Sequence, residues 1–240
     1  MRHGLTIAFI ALHAIAYPQT RSSGGLLSSD QSAVDIKHYL LDLRIDPYKK
    51  VISGTATVQF QLLKPSDKIV LDLVENYSVS GAKLNGMSMA FIHKDEKVLV
   101  ENPGIELFKN NILEIRYGGM PPTAKNPPWD GGFTWSKSED GNPSDKSNGA
   151  EILVTVPPGL MAVSNGLLQS KKKQKDRWVT WHWKTEYPIS TYNINVTVGA
   201  FSAIEKVGYV LNEPLKMIYY VLPEKQQGAC LLYTSDAADD

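Results

Sequence analysis

Cysteine is almost missing from this chain. Cys230 stands alone among 240 residues, which excludes an internal disulfide framework. Histidine is scarce too. The five are His3, His13, His38, His93 and His182, no two of them stand one helical turn apart, and the His-Glu-x-x-His arrangement that holds a zinc ion is absent. An excess of one charge is also lacking: 25 Lys plus Arg balance 25 Asp plus Glu, so no net field steers the chain to nucleic acid or to an anionic membrane. No apolar run is long enough to span a bilayer, and no segment keeps helical spacing over three turns.

What is present begins with Met1-Arg2-His3, an apolar run from Leu5 to Ala16, and the small-x-small sequence Ala14-Ile15-Ala16. This pattern predicts an export signal over residues 1–16, and with it a periplasmic or extracellular location. Residues 17–34, with their Ser, Gly and Gln, read as a flexible leader. At the other end, Cys230-Leu-Leu-Tyr-Thr-Ser-Asp-Ala-Ala-Asp-Asp240 resembles the in-frame translation of a sequencing adapter. Residues 225–240 are therefore expected to be a truncated end with a non-native tail, the natural chain continuing past Ala229.

Between these ends the period is two. Tyr39, Leu41, Leu43 and Ile45 alternate with polar neighbours up to the turn at Asp46-Pro47, and Ile52, Ala56, Val58, Phe60 and Leu62 alternate with Ser53, Thr55, Thr57, Gln59 and Gln61. Further strands are predicted at Ile69–Leu73, at Val79–Leu84 ending in Asn85-Gly86, on both sides of Lys94-Asp95-Glu96, and at Ile112–Tyr117 with Leu113, Ile115 and Tyr117 inward. In Trp178–Thr185 the residues Val179, Trp181 and Trp183 share one side while Thr180, His182 and Lys184 share the other. Tyr192–Val198 repeats the alternation, with Asn195 outward. Lys216–Leu222 is apolar on both faces, as a strand buried between layers would be. The basic stretch Leu167–Arg177 reads as a solvated loop between two strands, with a nuclear signal or heparin patch as the alternative. The fold class that follows is all-β: a large antiparallel β-sandwich or saddle-shaped curved sheet.

Two stretches carry a family resemblance. Pro157-Pro-Gly-Leu-Met-Ala-Val-Ser-Asn-Gly166, followed by Tyr187-Pro-Ile-Ser-Thr-Tyr192 and Val198-Gly-Ala-Phe201, resembles the N-terminal β domain of the aminopeptidase N family of zinc metallopeptidases. The likeness runs over residues 35–224. It implies a hydrolase whose intact form uses one zinc ion to cleave N-terminal residues from peptides. It also implies that this domain packs against a C-terminal catalytic domain of the same polypeptide and walls the substrate entrance. By the same resemblance, Trp129, Asp130, Gly131, Gly132, Phe133 and Trp135 are similar to the hairpin that precedes the family's substrate-facing segment, so they are the substrate-entrance candidates. The sequence departs from the family after Asn142-Pro143, where the glutamine or glutamate that would hold a peptide's free amine has no counterpart. The Gly-x-Met-Glu-Asn loop is absent as well, so neither catalytic nor metal-ligating residues are expected in this chain, and none of its residues is expected to hold a cofactor.

Other chemistries find less support. Ser164 lacks the Gly-x-Ser-x-Gly elbow of a serine hydrolase. Asp130 before Gly131-Gly132 is also a plain turn former, and His182 on a polar face reads as a solvated sheet residue. Asn76-Tyr77-Ser78 and Asn195-Val196-Thr197 match the glycosylation pattern. The alternative function is a free-standing exported sandwich that binds carbohydrate or protein, with Trp129 and Trp135 as its exposed aromatics.

Overall fold

The period-two stretches are realised as strands. The computed structural model describes residues 27–124, 146–147, 149–190 and 194–226. Among them lie β1 (Val34–Asp46), β2 (Val51–Leu62), β3 (Lys68–Asp72), β4 (Tyr77–Leu84), β5 (Met87–Ser88), β6 (Phe91–Lys94), β7 (Lys97–Glu101), β8 (Asn110–Gly119) and β9 (Lys146–Ser147). The second half adds β10 (Ala150–Val156), β11 (Met161–Ser164), β12 (Leu167–Lys173), β13 (Val179–Thr185), β14 (Ile189–Ser190), β15 (Val196–Gly199), β16 (Ser202–Val210) and β17 (Glu213–Val221). No described helix is long and apolar enough to cross a membrane.

Eight strands make one sheet in the order β12-β13-β10-β1-β2-β8-β4-β5. The all-β expectation is met. Within that sheet one neighbour pair runs parallel: β1 and β10 are in register from Tyr39 opposite Ala150 to Arg44 opposite Thr155. The sheet is therefore mixed. A parallel pair needs a long crossover, and β10 follows β1 only after the whole first half of the domain.

One face of this sheet is packed. Val58, Phe60, Leu84, Leu113 and Ile115 meet Ile69, Val98 and Val100 of the three-stranded sheet β3-β7-β6. Beside them, Leu43, Ile45, Ile152, Val154, Trp181 and Trp183 pack on Ala162 of the β11-β15 pair. Tyr39 and Tyr117 touch both clusters, and Tyr117 meets Tyr77 edge-to-face at 5.3 Å. Burying each large side chain contributes about 1.5–3 kcal/mol, so the alternation along β2 alone selects which face turns inward.

The turns follow local chemistry. Asn85-Gly86 between β4 and β5 has φ of 50° and 83°, and Asp95-Glu96 between β6 and β7 has 52° and 57°, the doubly positive pattern that matches strand twist in two-residue hairpins. Gly166 has φ of +87°, and a Cβ there would lie 2.1 Å from the Lys184 carbonyl oxygen. The Ser-Asn-Gly strand end thus needs glycine for two independent reasons.

Four expectations change. The basic stretch is not a loop: β12 pairs with β13 from Leu167 opposite Lys184 to Lys173 opposite Val179, and only its tip at Gln174–Trp178 turns. Strand β13 must satisfy the backbone groups on its far side, and a polar strand suits a sheet edge. Lys216–Leu222 is not buried between layers. It falls in β17 up to Val221, which among the described residues pairs only with β16 in a two-stranded ribbon, so Leu215 and Ile218 stay 48% and 40% exposed while Tyr220 meets Trp183 edge-to-face. The strand predicted at Tyr192–Val198 is described only as β15, because Tyr192 and Asn193 lie outside the described residues and Ile194 and Asn195 precede the ladder. Packing also starts before the strands: in the 3-10 turn Gln31–Ala33, Ala33 is fully buried and its carbonyl accepts from the Leu63 N–H.

Candidate functional site

The opposite face of the eight-stranded sheet carries the outward residues of each strand, and the register arranges them in rows. Lys172, Thr180, Thr155, Arg44 and Ser53 form one row; Ser170, His182, Leu153, Asp42 and Thr55 form the next. Together they line an open trough of about 820 Å³.

Arg44 organises one end of it. Its Nη2 donates to Asp176 Oδ2 at 2.7 Å, while the guanidinium lies 3.6 Å from the Trp178 ring centroid. The hairpin tip between β12 and β13 is thereby held over β1. The hydrogen bond from Arg44 also keeps the Asp176 carboxyl below its ordinary range. Next to this clasp, Gln174 Nε2 donates to Thr180 Oγ1 at 2.7 Å, and the Thr180 and Thr155 hydroxyls share a hydrogen bond of 2.8 Å. Desolvation on the trough floor pushes the Asp42 carboxyl up from its usual value.

At the other end, His182 Nε2 lies 3.1 Å from Glu151 Oε2, with both side chains 26% exposed. Lys184 Nζ stands 3.9 Å from Glu151 Oε1 and 3.3 Å from Glu186. His182 does occupy the polar face, but it is engaged by a carboxylate on the adjoining strand. Parity along β13 predicted the face; the partner could be found only from the β10–β13 register. The pair is a direct imidazole–carboxylate contact across two adjoining strands. It cannot build a metal centre, since among the described residues no three of His, Cys, Asp and Glu come together where an ion could sit. His93 is used structurally, its Nε2 lying 2.9 Å from the Leu73 carbonyl oxygen, and Ser164 donates to the Asn195 carbonyl at 2.7 Å.

The substrate-entrance candidates Trp129, Asp130, Gly131, Gly132, Phe133 and Trp135 all lie outside the described residues. Of the remaining tryptophans, Trp181 and Trp183 are each 4% exposed, as their parity with Val179 predicts, and Trp178 is covered by Arg44. Trp183 donates to the Ala162 carbonyl at 3.0 Å, whereas the buried Trp181 Nε1 has no partner among the described residues. The described tryptophans therefore offer no open platform for a sugar ring. The clasp Arg44–Asp176–Trp178 had no signal in the sequence, because its members are brought together across 132 residues.

This mixed eight-stranded sheet with its small covering sheets is similar to parts of solved zinc metallopeptidase structures. An M1 zinc metallopeptidase from Deinococcus radiodurans is similar to this chain at a TM-score of 0.66 and 23% identity, over 84% of this chain and 53% of that one. A mutant of the Deinococcus radiodurans enzyme bound to a Tyr-Ser-Ala substrate gives the same values. A two-domain M1 zinc metallopeptidase mutant bound to L-arginine gives a TM-score of 0.65 over the same shares. The fold expected from the resemblance is thus the fold observed, and the chain spans about half the length of these structures. No family model matches the chain, and no curated protein matches it.

Proposed function

We propose that this chain is the non-catalytic N-terminal domain of an exported zinc aminopeptidase, packed against a C-terminal catalytic domain of the same polypeptide and walling the entrance by which a peptide reaches the zinc. The observation that carries this reading is the β16–β17 ribbon. Val207, Tyr209, Val210 and Leu211 are 62%, 74%, 56% and 94% exposed at its tip. Apolar surface displayed on an otherwise well-packed domain marks the place where another body belongs. Leu211 takes a positive φ of 49° in the two-residue turn it shares with Asn212, a conformation that costs a bulky residue strain.

The described residues do not fit a zinc ion, so the metal would belong to the other domain. Here the sheet contributes shape and a wall, and the removal of N-terminal residues would be the work of groups encoded downstream. Two measurements test this. Reading the gene past codon 229 should reveal an in-frame His-Glu-x-x-His in the following coding stretch; a natural stop codon at that point would overturn the proposal. The purified 240-residue chain supplied with zinc should hydrolyse no aminoacyl arylamide, and turnover above a zinc-free control would end the non-catalytic assignment.

A further inference from the structure

We infer that the free edge of the main sheet, β12 and its turn into β13, is a binding site for a linear anionic polysaccharide carrying sulfate or phosphate groups.

The first observation is an unmatched charge. The chain as a whole is neutral, yet Lys171, Lys172, Lys173, Lys175 and Arg177 fall within seven consecutive residues that contain one acid, Asp176. That acid is already bound by Arg44. Elsewhere basic side chains are spread singly over the surface, several of them paired: Lys216 with Glu205 at 2.9 Å, Lys184 with Glu186 at 3.3 Å, Lys94 with Asp95 at 3.7 Å. Along this edge Lys172, Lys173, Lys175 and Arg177 make no ion pair among the described residues, and all of them are exposed. Lys171 rests 4.5 Å over the Trp181 ring, a contact that orients the ammonium without neutralising it. Crowded like charges repel one another, so this grouping carries a cost that a bound polyanion would reverse.

The second observation is shape. All seven residues of β12 are exposed, and the strand terminates the sheet. Its alternation sends Lys172 to the trough side, opposite Thr180, and Lys171 and Lys173 to the other, opposite Trp181 and Val179. Successive lysines on one side stand about 7 Å apart. The cations therefore form a line with two rows, and a polymer lying along the edge meets both. A flat bilayer would meet only one row. Bases of a nucleic acid would find no exposed aromatic face to stack on, because Trp181 is buried and Trp178 lies under Arg44. Lysines on an edge strand also deter strand pairing. That role needs no affinity for anions, which makes the two explanations separable.

The test uses the whole chain in about 0.15 M salt, a concentration that screens isolated surface charges. Heparin and a phosphorylated dextran are titrated separately, beside vesicles with anionic phospholipid and a duplex DNA. A quadruple variant K171Q/K172Q/K173Q/K175Q is compared with K49Q/K68Q/K94Q/K109Q, which removes the same charge from other surfaces. Binding of either polymer, weakened at least tenfold by the edge variant and hardly by the control, is the expected result. The salt dependence should fall by about one log unit per log unit for each contacting lysine lost, as for other polyanions. Which polymer binds distinguishes sulfate from phosphate as the recognised group. Equal losses in both variants, tighter binding to vesicles or DNA than to either polymer, or no binding at all would overturn the inference. Unchanged melting temperatures in both variants show that folding is not what was measured.

Discussion

Strands β8 and β17 read alike and end differently. Both carry branched aliphatic and aromatic residues, in alternation along β8 and on both faces of β17. In β8, Leu113 is fully buried and Ile115 is 3% exposed, because β2 and β4 flank the strand and β3-β7-β6 covers it. In β17, Leu215 and Ile218 remain 48% and 40% exposed, because β16 is its only ladder partner among the described residues and the strand meets the core through Tyr220, edge-to-face with Trp183 at 6.0 Å. Periodicity determines that a segment is extended and which way its side chains point. Burial depends on whether something else arrives. Towards its tip the ribbon leaves Val207, Tyr209 and Leu211 exposed, the apolar surface on which the proposal above rests.

The largest test of that contrast lies on the packed side. Phe60 is 1% exposed under the three-stranded sheet, and Phe60→Ala should cost about 3–5 kcal/mol in a urea titration with an unchanged slope. For a domain with typical stability of about 5–15 kcal/mol this is a large fraction. A loss below about 1 kcal/mol would mean that the two layers are not closely packed there, and the contrast with the ribbon would dissolve.

The join between the two clusters gives the next effect. Burial raises the Tyr117 phenol from 10.0 to about 12, and burial together with the neighbouring Tyr117 raises Tyr77 as well. A raised folded-state value means the folded protein prefers the neutral phenol. The associated stability is complete below pH 10 and is lost as pH rises through about 12. For Tyr117 the loss is roughly 2–3 kcal/mol, taking two pKa units at 1.36 kcal/mol each. Absorbance of the phenolate should therefore appear together with loss of far-ultraviolet signal; ionisation of both tyrosines near pH 10 in a folded protein would contradict their burial.

Much of this arrangement was legible beforehand because it is local. Asn85-Gly86, the alternation of β2, and the inward parity of Trp181 and Trp183 all follow from a few neighbouring residues and a period of two. What could not be read depends on distant partners. The parallel match of β1 with β10, the strand status of the lysines in β12, the exposure of β17 and the Arg44–Asp176 clasp are all set by which element lies alongside. His182 shows the boundary well: its face was evident from β13, and its partner Glu151 belongs to a strand about 30 residues earlier, reached only through the register.

A smaller effect belongs to the open face. Asp42 loses hydration in the trough, so its folded-state value lies above 3.8. The stability linked to this group is present below pH 3.8 and is lost as pH rises through the raised value, which leaves a penalty at neutral pH. Asp42→Asn should remove it, raising stability at pH 7 by a few tenths of a kcal/mol, since the residue is largely exposed and solvent screens the charge. The gain should disappear when both proteins are unfolded near pH 3. A gain that persisted there would assign the effect to shape and not to charge.

The ribbon should give the smallest change in stability and the clearest change in behaviour. Leu211 is 94% exposed and Tyr209 74% exposed, so replacing them removes little contact from the folded chain. The double variant Tyr209→Ser/Leu211→Ser should alter the unfolding free energy by no more than about 0.5 kcal/mol, the usual range for surface positions. Sedimentation should show the original chain associating at concentrations where the variant stays monomeric, because an apolar tip with no layer over it finds another surface to cover it. A strictly monomeric original chain would remove the reason for placing a partner on β16–β17. A destabilisation comparable to that of Phe60→Ala would show instead that the tip already packs within this domain, and β8 and β17 would then differ in degree only.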